Sequence, residues 1–222
     1  MADPRGAKPR FFDLWSYVYD APWVQRLTYR PLHDAVLAAL PETRQPRVLD
    51  VGCGTGQLCN RLRHALPGAP IVGCDFSGGM LRHAAARSPG SARIGWVRSD
   101  AQALPFRDGS FDVLVSTEAF HWFPDQQRAL AEFYRVLAPE GRLLLALMNA
   151  PVEWLTRMGH AGSQLLGEPA IWPTRQRLRE QAEHAGFRVE RQSRVYRIPL
   201  GVTLPPTLML AVRPSAPLAR SR

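Results

Sequence analysis

Residues 48–57 read VLDVGCGTGQ, and this stretch decides the fold. Val48, Leu49 and Val51 form a short apolar run of the kind buried in a parallel sheet. Three glycines follow at alternate positions, Gly52, Gly54 and Gly56. Glycines here let the backbone turn tightly from strand into helix and approach a ligand without obstruction by Cβ atoms. The helix is expected over 56–66. The spacing is GxGxG, whereas the dinucleotide fingerprint GxGxxG needs glycine where Gln57 stands, and a P-loop needs a lysine that does not follow. A nucleotide-dependent oxidoreductase is thereby disfavoured, although it would share the same strand–turn–helix unit.

Outward from this stretch, short apolar runs alternate with helical stretches, as in a parallel sheet flanked by helices. Strands are expected over 47–51, 70–76, 93–100, 111–119, 142–150, 187–199 and 207–213. Helices are expected over 77–88, with Ser77 at the N-cap, over 125–137, and over 173–186, ending at Gly186. Before the first strand, residues 11–27 are aromatic and irregular, and 31–40 has helical spacing with Pro31 in its first turn. Residues 151–172 are broken by glycine and proline and give no regular pattern. The expected organisation is one domain over 1–213, with a cap and helix at 11–40, a core at 47–149, and a final segment at 150–213. The tail, 214–222, is expected to be disordered.

The chain has 222 residues, 45% of them hydrophobic, enough for a substantial core. Its formal charge of +9 raises nucleic acid or an anionic surface as a partner, but the basic residues are scattered arginines, with Lys8 the only lysine. A generally solvated basic surface is the expectation. Cys53, Cys59 and Cys74 cannot all pair with one another and form no CxxC, so a reducing compartment and no metal are expected. No apolar stretch has the length of a membrane span, and the N-terminus lacks the pattern of a secretory signal. The expected location is the cytoplasm, as a monomer or homodimer without stable membrane association.

Three carboxylates fall at the ends of successive strands: Asp50, Asp75 and Asp100. That edge of a parallel sheet is where ligands bind. Asp75 stands 19 positions after Gly56, where a carboxylate can accept from both hydroxyls of a ribose, or else cap the helix that follows.

In this context, Asp50 with Gly52, Gly54 and Gly56 resembles motif I of the class I S-adenosylmethionine-dependent methyltransferases. The likeness is to the small-molecule group that includes the ubiquinone and menaquinone C-methyltransferases, and it runs over 48–145. It implies a Rossmann-like, doubly wound seven-stranded α/β sheet of order 3-2-1-4-5-7-6, the last strand antiparallel, with an N-terminal helical cap.

The resemblance also implies S-adenosylmethionine as cofactor. Asp50 would face its ammonium, or cap the glycine loop. Asp100 would receive the adenine amino group, with the Ala101 N–H on a ring nitrogen, or be an ordinary loop aspartate. Phe76 and Met80 would wall the adenine or belong to the core, and Cys53, Gln102 and Thr117 complete the cofactor set.

STEAFHWFPD, 116–125, resembles the motif between cofactor and acceptor. It lacks the Asn/Asp-Pro-Pro-aromatic segment of nucleic-acid amino-methyltransferases and the Pro-Cys pair of cytosine-C5 enzymes, which counts against base modification. His121 is the candidate general base, or else a packed ring. Phe120 and Trp122, with Tyr17 and Tyr19 of the cap, are the candidate residues lining the site. The expected reaction is methyl transfer to O, N or C of a small apolar or aromatic acceptor. The alternative is a non-catalytic or nucleic-acid-binding protein that keeps the fold.

Overall fold

The computed structural model describes residues 29–42, 45–88, 94–165, 170–197 and 203–215. Tyr17, Tyr19 and the rest of the expected aromatic cap lie outside them. Helix α1 (Arg30–Ala38) starts with proline in its first turn and buries Leu32, His33 and Val36. Strand β1 (Val48–Val51) follows, then α2 (Gln57–Ala65), β2 (Ile71–Asp75), α3 (Gly78–Arg87) and β3 (Ile94–Arg98). Next come β4 (Phe111–Thr117), a short 3-10 turn (Phe120–Trp122), α4 (Gln126–Val136) and β5 (Leu137–Leu147). The described chain closes with α5 (Glu153–Leu165), α6 (Arg175–His184), β6 (Arg188–Arg197) and β7 (Thr203–Val212).

The seven strands form one sheet of order β3-β2-β1-β4-β5-β7-β6, as the resemblance implies. Strands β1 to β5 pair in parallel, and β7 runs antiparallel to both β5 and β6. Both faces are covered, which is why the strands read as nearly continuous apolar runs. Leu49, Leu114, Leu143 and Leu145 face a cluster that includes Leu130 and Phe133 of α4 and Leu178 of α6. The alternate residues Val48, Val113, Val115 and Leu144 face Leu32 and Val36 of α1 and Leu58 and Leu62 of α2.

Ser77 caps its helix as expected, and two further helices are capped in the same way. Ser77 Oγ accepts from the Met80 N–H at 3.2 Å, Asp125 from Arg128 at 2.9 Å, and Thr174 from Arg177 at 3.2 Å.

Four segments differ from expectation. Strand β3 stops at Arg98, leaving Asp100 in a turn, where it forms an isolated bridge with Ala103. Strand β5 begins directly at the end of α4, with a register shift opposite the Phe111–Val113 segment of β4, where the pairing passes from Leu137 to Arg142 and Glu140 takes φ of 61°. Residues 153–165, which look broken in sequence, form α5, because Gly159 and Gly162 are tolerated inside a helix whose Thr156 and Ser163 anchor to Trp172 and Ala170. At the start of the tail expected to be disordered, Pro214 is buried and the Ser215 N–H donates to Glu140 at 2.7 Å.

Candidate functional site

The carboxyl ends of β1 to β5 share one edge of the sheet, and the loops leaving them build the site. After β1, the N–H groups of Gly52 and Cys53 both donate to Cys74 O, at 2.8 and 3.1 Å, lashing the glycine loop to β2. Gly52, Gly54 and Gly56 take φ of 74°, 53° and 75°, the left-handed region that other residues rarely occupy.

For two of these glycines the close neighbour is the protein itself, which corrects the expectation of ligand approach. A Cβ on Gly52 would overlap Ala119 Cβ, and one on Gly56 would stand 2.5 Å from the Trp96 ring. Gly73 of β2 is also covered by Trp96, at 2.5 Å. Trp96 therefore lies across β2 and braces the loop, a role that an aromatic residue within a strand does not announce in sequence.

Asp75 is held from two sides. Its Oδ2 accepts from the Gly54 N–H at 2.9 Å and its Oδ1 from the Ser77 N–H at 2.8 Å. Burial pushes its carboxyl above the ordinary range, and these backbone donors pull the other way. The Phe76 N–H also donates to it, and a carboxylate has about four lone-pair sites, so its capacity to accept is not exhausted.

Asp50 sits deeper than a strand tip, 1% exposed, under the glycine loop. The Cys59 thiol of α2 donates to its Oδ2 at 3.2 Å, and its Oδ1 has no partner among the described residues. Burial raises its pKa to about 7, the Cys59 hydrogen bond opposes the rise, and the charge of Asp75 adds to it. All three cysteines are free and buried, and burial raises each thiol pKa.

In the turn after β3, the Gln102 N–H donates to Asp100 Oδ1 at 3.0 Å, and its side-chain amide reaches both carboxylate oxygens, at 3.1 and 3.4 Å. Gln102 Oε1 in turn accepts from the Asp125 N–H at 2.9 Å, so it ties Asp100 to the start of α4. Ala101 is buried beside it. The Phe76 ring lies 5.8 Å from the Arg98 guanidinium carbon, whereas Met80, Cys53 and Thr117 are buried.

The loop after β4 contains a residue that sequence reasoning passed over. Glu118 has φ of 50°, and its carboxyl is buried, with a pKa raised to about 7 by desolvation against a hydrogen bond from the Met148 N–H. Its Oε1 has no partner among the described residues. The signal available was an acidic residue following a buried strand run.

His121 is buried and stacks on Trp172, with centroids 5.4 Å apart and planes at 20°. Burial lowers its pKa to about 3, so it is neutral at physiological pH, and its Nδ1 has no partner among the described residues. The Ile171 N–H donates to its carbonyl at 2.7 Å. Trp122 is half-buried, 4.9 Å from the His121 ring. Phe120 departs from its expected lining role. It is 1% exposed and packs edge-on to Phe123 in the core, because the 3-10 turn points it inward.

The stability of the fold should report on Asp50. Its folded pKa, about 7, lies above the ordinary 3.8, so the folded state holds this proton more tightly than the unfolded chain does. Its contribution is intact below the ordinary value and is lost as pH rises through the folded one. Asp50→Asn removes that loss, and the difference in Tm between variant and wild type should grow from pH 5 to pH 8 in thermal scans. Parallel curves would show that Asp50 is not a buried, neutralised carboxyl.

The edge thus presents two buried carboxyls, each with an oxygen that has no partner among the described residues, and two further aspartates braced by backbone or amide donors. This set of acceptors suits a cationic ligand carrying hydroxyl and amino donors. Among the described residues no group of His, Cys, Asp and Glu side chains is placed to hold a metal ion.

Known proteins share both sequence and fold with this chain. A family model for a methyltransferase domain matches residues 49–145. The chain is 41% identical over 141 residues to the demethylmenaquinone methyltransferase of Thermus thermophilus, covering 62% of this chain and 59% of that protein. It is 32% identical over 160 residues to the malonyl-[acyl-carrier protein] O-methyltransferase of Methylococcus capsulatus, covering 71% and 58%. It thus spans less than two thirds of the length of these curated relatives. In fold it is similar to a chain from the complex between the Haloferax volcanii Trm112 methyltransferase activator and a methyltransferase. That likeness has a TM-score of 0.75 at 22% identity, over 91% of this chain and 97% of that one.

Proposed function

Since the chain belongs to the class I S-adenosylmethionine-dependent methyltransferases, we propose that it moves a methyl group from that cofactor to a small-molecule acceptor. The observation that carries the reading is the Gly54 N–H on Asp75. One hydrogen bond at 2.9 Å fixes the glycine bend and the carboxylate of the next strand as a single receiving surface. When bound, S-adenosylmethionine supplies a methyl group on a positively charged sulfur.

Asp75 receives the ribose hydroxyls through the lone pairs that its backbone donors leave open. Asp100, held by Gln102, receives the adenine amino group, the Ala101 N–H meets a ring nitrogen, and Phe76 forms one wall. Asp50 and Glu118, each with an oxygen unpartnered among the described residues, favour positive charge at the other end of the edge.

The donor's charge fades as the methyl transfers, so aligning two reactants in a dry pocket supplies much of the acceleration, with effective molarities on the order of 10⁵ M or more. A dedicated base is not required. Where the acceptor must lose a proton, His121 is neutral and has an Nδ1 unpartnered among the described residues, but the burial that keeps it neutral also makes it a weak base. Trp122 offers a π-face to the cationic donor, worth on the order of 0.5–2 kcal/mol.

Among the described residues no helix is long and apolar enough to cross a membrane. A cytoplasmic protein, monomeric or homodimeric, acting on a small acceptor is the setting that fits. The test is calorimetric titration with S-adenosylmethionine. Saturable binding to the wild type and none to Gly54→Arg is the expected result. Wild-type protein that binds no S-adenosylmethionine would remove the proposal.

A further inference from the structure

Beside the cofactor edge, past the end of β5, lies a cleft of about 970 Å³. Its wall includes Asn149, Thr174, Arg175, Gln176, Arg194 and Thr207. Three of these residues each carry a polar atom that the protein leaves unused: Asn149 Oδ1, Thr207 Oγ1 and Arg175 Nε are buried and have no partner among the described residues. Asn149 is 5% exposed and Thr207 1%. Burying such groups without a partner is unfavourable, and native structures rarely leave several together unless something else satisfies them.

What would satisfy the two donors among them is an anion. Arg175 Nε and the Thr207 hydroxyl are donors, and the Asn149 side chain already spends its amide on Pro173 O at 3.0 Å. The first turn of α6, Arg175 to Arg177, also lines the cleft. Thr174 takes the Arg177 N–H, and by helix geometry the N–H groups of Arg175 and Gln176 have no acceptor within the helix. A helix N-terminus carries partial positive charge and binds carboxylate or phosphate.

The two acids in the wall are already engaged. Glu153 pairs with Arg177 at 2.6 Å, and Glu180 accepts from Gln176 at 2.9 Å. Arg175 is braced by its own contacts, donating to Gln192 O and receiving the Gln192 amide on its carbonyl, each at 3.0 Å.

We infer that this cleft is an anion-binding subsite for a carboxylate or phosphate group of the methyl acceptor. Its position supports that assignment. Thr207 pairs with Leu147 at the end of β5, and the strip 170–174 that roofs Asn149 also stacks Trp172 on His121. An acceptor could therefore be anchored by its charged end while its reactive atom faces the loop after β4. Only the word acceptor rests on the transferase reading, since anion binding stands by itself. Asn149 Oδ1, an acceptor, suits a protonated or hydroxyl-bearing oxygen of the same ligand.

The experiment is calorimetric titration at low ionic strength with inorganic phosphate and, separately, with malonate. Saturable binding of at least one is expected, and the tighter of the two names the group. Thr207→Val should weaken it at least fivefold with Tm unchanged or raised, because the lost hydroxyl bonds to nothing within the described protein. Arg175→Gln should weaken it at least tenfold. Asp75→Ala, on the cofactor edge, should leave it within twofold. No binding of either anion, or equal affinity in wild type and Thr207→Val, overturns the assignment. Anion binding without any S-adenosylmethionine binding would sink the transferase reading and leave the subsite standing, and the reverse result removes the subsite alone.

Discussion

Asp75→Ala is expected to weaken S-adenosylmethionine binding by about a hundredfold or more, equivalent to roughly 2.7 kcal/mol. Two losses add. The ribose hydroxyls lose a charged acceptor, and hydrogen bonds to charged groups are each worth about 1.5–3 kcal/mol. The Gly54 and Ser77 N–H groups also lose their shared partner, so the loop is no longer pinned to β2 at this point. Asp75→Asn should recover little. Its amide has one oxygen for two backbone donors, and its NH₂ would face an N–H. The wild-type Asp75 carboxyl is raised by burial, so alanine should not destabilise the fold severely, and a retained thermal transition would separate ligand loss from unfolding. Calorimetry on folded Asp75→Ala protein that gave a Kd within threefold of wild type would mean the ribose lies elsewhere.

The strand and helix succession was legible because each layer leaves its own mark. Buried parallel strands read as apolar runs, and the caps Ser77, Asp125 and Thr174 each stand one residue before their helix. The strand order came from the family resemblance, since periodicity carries no information on which strands are neighbours. Helix α5 was illegible for a physical reason. Its glycines lower local helix propensity, and what holds it is tertiary, through Thr156 and Ser163 bonding to a strip that follows it in sequence.

The site divides in the same way. Asp75 and the glycine bend could be found because backbone geometry and strand position are written locally. Trp96 and Trp172 could not, because their roles depend on what crosses over them, and Glu118 left only its place after a buried strand run. Phe120 and Gly52 show the opposite error. Both lie in a motif that invites a ligand role, and both are occupied by the protein's own packing.

Gly52→Ala is expected to be the most disruptive glycine-to-alanine change among the described residues, destabilising the fold by about 4 kcal/mol from overpacking and left-handed strain together. The residue stands at φ 74°, where alanine is strained by about 1–2 kcal/mol whatever the space around it. Its new Cβ would also overlap Ala119 Cβ, a backbone-anchored atom that cannot rotate away. Relief would need the glycine loop to separate from the loop after β4, which carries Glu118 on one side of Ala119 and the 3-10 turn on the other. The same substitution should therefore abolish cofactor binding by moving both loops at once.

Ala119→Gly supplies the control, because it removes the overlapping atom and leaves the dihedral strain. The double variant Gly52→Ala/Ala119→Gly should regain the overpacking share, about 1–3 kcal/mol, and remain below wild type by the rest. Urea unfolding of the four proteins in the cycle measures the coupling directly. Additive effects would mean that the two loops do not meet at this contact, and the common receiving surface formed by the tips of β1 and β4 would go with it.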